Sequence, residues 1–99
     1  MSEYAVVWRD NEEPHSLYAG GLMIEDNVVR LRGSAGRHPV VCELPREEIA
    51  SVQRARGQER LGGFPSLRLD LTTGRSLLLA SVMGLGVLLD VLEALTTGA

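Results

Sequence analysis

The sequence predicts a mainly β domain in which about seven short strands are followed by one C-terminal helix. Apolar and polar residues alternate with a period of two as far as Ala80, turn-forming residues separate the alternating segments, and after Ser81 the period changes to 3.6. Strands that are joined by short turns favour an antiparallel sheet. Because 99 residues are enough for one hydrophobic core and too few for two, residues 1–99 are expected to form a single domain.

The first half of the chain is predicted to contain four strands, at residues 4–9, 17–24, 28–32 and 40–44. Asp10–His15 is acidic and contains a proline, which indicates a loop. The adjacent glycines Gly20 and Gly21 lie inside the second strand, where they suggest a β-bulge or a sharp coil at a bend of the sheet. The third strand follows a tight turn at Glu25–Asn27 and forms a hairpin with the second. Gly33–Pro39 is predicted to be a loop.

The second half is predicted to contain three further strands and the helix. Glu47–Arg56 has apolar residues three positions apart, which fits either a helical turn or a turn that leads into a strand, and we favour the second. Gly57–Pro65 is rich in glycine and indicates a loop. Ser81 is a suitable N-cap for the helix. The last two strands and the helix are expected at residues 67–71, 75–80 and about 82–97.

The predicted helix is apolar over more than one face. The residues predicted to close the sheet are Leu85, Leu88, Leu89, Leu92 and Leu95. Val87, Val91 and Ala94 extend this arc along one flank. Exposed apolar patches mark interaction sites, and homodimers are the commonest assemblies, so the flank is a candidate interface for a protein partner or a second copy. Alternatively, the Gly57–Pro65 loop folds over the flank and covers it.

The pattern of apolar segments and turns resembles the bacterial pleckstrin-homology-like (PH-like) domain family. The resemblance is carried by Gly21–Ile24, Val29–Leu31, Leu44–Pro45, Glu48–Val52, Leu67–Leu69, the Thr73–Arg75 turn and the closing helix. It implies a seven-stranded antiparallel split barrel or sandwich, capped by one C-terminal helix, that binds proteins or lipids and is not catalytic. Phosphoinositide-binding members carry basic residues around the loop after the first strand. Here that loop is Asp10–His15 or Glu25–Asn27, and because both are acidic, no phosphoinositide motif is present.

Charge and composition exclude several classes of partner and location. The formal net charge is −3, whereas proteins that bind nucleic acid or anionic leaflets usually need a dense basic surface. Cys42 is the only cysteine, so an intramolecular disulfide is impossible. The N-terminal residues lack the basic start and the long apolar core that are typical of a signal peptide. No apolar stretch approaches the roughly 20 residues of a transmembrane segment. A cytoplasmic location is therefore expected.

The residues that often carry catalysis or metals form no recognisable motif. His15 lies near the acids of the Asp10–His15 loop, but neighbours in a loop rarely converge on a metal ion, and His38 has no ligand spacing to His15. Cys42 lies in an apolar strand pattern, which is typical of a core residue and not of a nucleophile. The sequence therefore predicts no catalytic residue, no metal site and no cofactor.

Arg54, Arg56 and Arg60 form the densest basic cluster of the chain. Arginine side chains bind carboxylates and phosphates through two parallel hydrogen bonds, so these three are candidate contacts for an anion. The alternative is a solvated loop that Glu59 partly neutralises. Taken together, the sequence predicts a non-enzymatic interaction module that binds a protein partner or itself. The alternative function is binding of a small anionic ligand or a membrane surface through the Arg54–Arg60 loop.

Overall fold

The computed structural model describes residues 2–57 and 60–97. Within these ranges the chain forms seven strands and one α-helix, which confirms the predicted fold class. The elements are β1 (Ser2–Asp10), β2 (Tyr18–Ile24), β3 (Val28–Ala35), β4 (His38–Pro45), β5 (Ile49–Arg54), β6 (Ser66–Leu71), β7 (Ser76–Ser81) and α1 (Leu85–Thr97). A short 3-10 turn at Arg46–Glu48 leads into β5, so the prediction for this stretch is correct.

All of the strand pairs are antiparallel and belong to one sheet with the order β4-β3-β2-β1-β7-β6-β5. β1 is the central strand because it pairs with β2 along one edge and with β7 along the other. β4 and β5 are consecutive in the chain but lie at the two ends of the sheet. The short connection between them therefore requires the sheet to curl.

The core joins both halves of the sheet to the inner face of α1. The buried cluster includes Val6, Trp8, Leu22, Val29, Leu31, Leu44, Leu67, Leu69, Leu77, Leu79, Leu88, Val91 and Leu95. Each strand contributes alternate residues, since successive side chains point to opposite faces of a sheet. Leu69, which the sequence placed on the inward face, is fully buried.

Two details of the first hairpins differ from the sequence-based expectation. Gly33–Pro39 is not a long loop, because β3 continues to Ala35 and β4 begins at His38, which leaves a two-residue turn. Gly20 is not at a bulge, since it pairs in regular register with Val6 and Gly33. Glycine is needed at Gly20 for a different reason: a Cβ atom there would lie 2.1 Å from a backbone oxygen of β3. Close approach of two backbones, and not an inserted residue, explains this glycine.

The helix begins at Leu85, three residues later than predicted, because β7 extends to Ser81. The Ser81 hydroxyl accepts a hydrogen bond from the Met83 N–H in the intervening turn. Gly84 has a φ of +103°, a conformation that favours glycine and that separates this turn from the helix. None of the helical segments in the described ranges has the length and apolar character needed to span a bilayer.

Arg46 ties the far end of α1 to the sheet. Its guanidinium donates hydrogen bonds to the carbonyl oxygens of Ala94 and Leu95, at 3.0 and 3.4 Å, and to that of Glu25 at 3.1 Å. The last carbonyls of a helix lack partners within the helix, and a cation near them is favourable. One side chain therefore fixes the helix C-terminus against the β2–β3 turn.

Candidate functional site

The predicted interface on Val87, Val91 and Ala94 does not lie on an exposed flank. Val91 is 0% exposed and belongs to the core cluster, Ala94 packs against that cluster, and Val87 is half-buried. The prediction of an outward flank was therefore wrong for Val91, which is buried. The side of the helix that carries Val91 faces the sheet, and α1 contacts β5, β6 and β7.

The exposed apolar residues of the helical region lie on its other side. Leu85 and Leu89, predicted to close the sheet, are each 42% exposed. They are four residues apart and therefore neighbours on one helix face. Val82 and Met83, in the turn that precedes the helix, are also exposed. Together they form an apolar surface at the start of α1.

The basic cluster lies beside this apolar surface because of the register between β5 and β6. Arg54 is paired with Leu67 and therefore points to the side of the sheet that packs against α1. Arg54 is the last residue of β5 and lies beyond the edge of the core, so its side chain is exposed near the start of α1. Arg54, Arg56, Arg60, Pro65 and Leu85 line one depression of about 340 Å³. We call these five residues the arginine–leucine surface.

The arginines of the cluster differ in how they are held. The guanidinium of Arg60 donates hydrogen bonds to the carbonyl oxygens of Gly63, at 2.7 Å, and Phe64, at 3.4 Å. Arg54 and Arg56 are exposed, and within the described part of the chain neither has an ion pair or a side-chain hydrogen bond. Glu59, the acid expected to neutralise the loop, lies outside the described residues. Within the cluster, Arg54 and Arg56 are thus the two exposed arginines whose guanidinium groups have no partner among the described residues.

The sequence identified the arginines of this surface but not their apolar neighbours. Leu85 was assigned to the core because the helical arc is too broad to show which side faces the sheet. Gln53 and Arg68, which line an adjoining depression with Arg54 and Arg56, were also missed. Gln53 pairs with Arg68 across β5 and β6, and the alternation of Leu67–Leu71 with polar residues was the signal that placed Arg68 on the outer face.

A second depression, of about 330 Å³, is lined by Cys42, Asp10 and Arg75 among others. Burial alone would raise the pKa of Asp10, but hydrogen bonds from Arg75 and from the Glu12 N–H outweigh it, and the pKa is lowered. The Arg75 guanidinium forms an ion pair with Asp10 and lies 3.8 Å from the Cys42 sulfur. Burial nevertheless raises the pKa of the Cys42 thiol. A raised pKa is the opposite of what an activated nucleophile requires.

The titratable residues of the first loop do not converge with those elsewhere. Tyr18 donates a hydrogen bond of 2.6 Å to Glu13, whereas His15 and His38 are both exposed. Across residues 2–57 and 60–97, no group of three or more His, Cys, Asp or Glu side chains is close enough together to hold a metal ion.

Comparisons with known proteins bear on the fold alone. No model of a known protein family matches the chain, and no curated protein matches it either. Among solved structures, the fold is similar to the crystal structure of the C-terminal domain of an unknown protein from Leishmania infantum. That similarity has a TM-score of 0.71 at 9% sequence identity and covers 96% of this chain and 82% of the other.

Proposed function

We propose that the protein is a non-enzymatic interaction module that binds another protein through the arginine–leucine surface. The observation that carries the proposal is the position of the partly exposed Leu85 in one depression with Arg54 and Arg56. Apolar side chains that are exposed together on a folded domain are typical of interaction sites. Arginine is also enriched at protein interfaces, because its guanidinium binds carboxylates with defined geometry.

The absence of catalysis is part of the same proposal. In the depression around Cys42, the charged groups Asp10 and Arg75 are paired with each other, and the thiol pKa is raised. Asp10 is therefore held in an ion pair, and the Cys42 thiol is not activated as a nucleophile. We also propose that the chain belongs to the PH-like family, whose domains serve mainly for binding. The antiparallel strand order and the closing helix support this proposal. A cytoplasmic location stays a prediction.

Affinity purification from the native host tests the proposal when the wild type is compared with two variants. Leu85→Ser removes the apolar side chain of the surface. Val41→Ser is the matched control, since Val41 is an apolar residue that is 64% exposed and lies on β4, outside this surface. A partner that the wild type and Val41→Ser retain, and that Leu85→Ser loses, is the expected result. Equal recovery with all three proteins would contradict the proposal.

Binding of an anionic membrane surface through the Arg54–Arg60 loop is the second candidate function. Arg54 and Arg56 favour it, because their guanidinium groups are exposed and unpaired among the described residues. Each basic residue near an anionic leaflet contributes about 1 kcal/mol, so two give about 2 kcal/mol, which is weak for stable attachment. Salt-sensitive sedimentation with phosphatidylserine vesicles that Arg54→Ala and Arg56→Ala abolish would favour this second function over the first.

A further inference from the structure

Arg54 and Arg56, which have no ion pair among the residues that the structure describes, lie between a partly apolar depression and a polar one. Arg54 and Arg56 line the depression that contains Pro65 and Leu85. They also line an adjoining depression of about 580 Å³. The other residues of that second depression are Gln53 and Arg68, both polar. A ligand that contacts the two guanidinium groups would therefore meet an apolar wall on one side and a polar wall on the other.

The partners that each arginine already has limit where an anionic group can bind. Arg60 already donates to backbone carbonyls, and Arg68 forms an ion pair of 3.0 Å with Asp70. Arg54 is the last residue of β5, and Arg56 lies two residues further along the chain, just after Ala55, whose N–H still donates a hydrogen bond to the Ser66 carbonyl oxygen. In extended chain, alternate side chains point to the same side. Carboxylates bind arginine pairs of this kind, because each guanidinium offers several donors in one plane.

From this placement we propose that the partner docks an acidic segment in which an Asp or Glu lies beside a large apolar residue. The carboxylate binds Arg54 and Arg56, and the apolar side chain packs against Leu85 and Pro65. This inference rests on the proposed function and specifies the chemistry of the partner. A protein segment supplies both groups at fixed spacing, whereas a membrane would have to approach a protein whose formal net charge is −3.

A phage-displayed library of random peptides, selected on the purified full chain, tests the inference directly. We expect the enriched sequences to combine Asp or Glu with Leu, Ile, Met or Phe at close spacing. The affinity of one enriched synthetic peptide is then measured by fluorescence anisotropy. Charge reversal by Arg54→Glu and Arg56→Glu together should weaken it by at least about tenfold, since an attractive pair becomes a repulsive one. Leu85→Ser should also weaken it.

Arg37→Glu is the matched control, because Arg37 is exposed in the β3–β4 turn and changes the net charge in the same direction. It should leave the affinity unchanged. Circular dichroism of each variant establishes that it is folded. Enrichment of peptides without acidic residues, or equal binding by the charge-reversed protein, would overturn the inference. Binding to phosphatidylserine vesicles without enrichment of any peptide would also overturn it.

The two proposals fail separately. If purification from the host yields a partner that depends on Leu85 while the library enriches neutral or basic peptides, the proposed function stands and the acidic segment is wrong. If no Leu85-dependent partner is found and no peptide is enriched, both are wrong.

Discussion

The orientation of α1 predicts that two adjacent leucines differ strongly in their contribution to stability. Leu88 is 0% exposed, whereas Leu89 is 42% exposed. Truncating a buried leucine to alanine costs about 2–5 kcal/mol, because apolar contact is lost and a cavity remains. We expect Leu88→Ala to cost about 3 kcal/mol. Leu89→Ala leaves no cavity, since solvent fills the space, and should cost about 1 kcal/mol.

The comparison controls for helix propensity, because both substitutions replace leucine with alanine inside the same helix. For a domain of this size, 1 kcal/mol corresponds to about 4–8 °C in melting temperature. Leu88→Ala should therefore lower the melting temperature by about 12–24 °C, and Leu89→Ala by about 4–8 °C. Thermal unfolding followed by circular dichroism measures both. Equal losses, or a larger loss for Leu89→Ala, would mean that the helix faces the sheet with a different side.

Three further outcomes follow from the fold. Gly20→Ala should destabilise by more than about 3 kcal/mol or prevent folding, because its Cβ would overlap a backbone oxygen. Gly21→Ala, which meets only a carboxylate side chain, should be nearly neutral in the same urea titration. Because Arg75 lowers the pKa of Asp10, the stabilising charge is present above about pH 4 and is lost as the pH falls through the lowered pKa. In the Asp10→Asn variant, the free energy of unfolding measured by urea titration should therefore vary less with pH over that acidic range. Since burial raises the pKa of Cys42, its thiol should react with Ellman's reagent more slowly at pH 8 in the folded than in the unfolded protein, and equal rates would contradict the burial.

The strands could be predicted because each has one inward face that a period of two reveals. Leu67, Leu69 and Leu71 alternate with Arg68 and Asp70, and the inward leucines are buried as that pattern indicates. The extent of β3 was underestimated, because the glycine and serine that resemble a loop lie within a regular strand pair.

The orientation of the helix could not be predicted from the local pattern. Val87, Val91 and Ala94 are apolar, as Leu85 and Leu89 are, so the sequence alone does not distinguish the side that faces the sheet. Packing against β5, β6 and β7 decides it, and these contacts join residues far apart in the chain.

The candidate site depends on the same long-range geometry. The sequence identified Arg54, Arg56 and Arg60 as a cluster. Their position beside Leu85 follows from the β5–β6 register and from the path of the chain between β7 and α1. Neither could be derived from the spacing of the arginines.

The central claim is that a protein partner docks at the arginine–leucine surface. Photo-crosslinking in the native host tests it most directly, with a photoreactive amino acid placed at Leu85 in one protein and at Val41 in a second. We expect a discrete crosslinked partner from position 85 and none from position 41. Introducing Arg54→Glu and Arg56→Glu into the first protein should abolish the crosslink. A partner captured from position 41 but not from position 85 would contradict the claim.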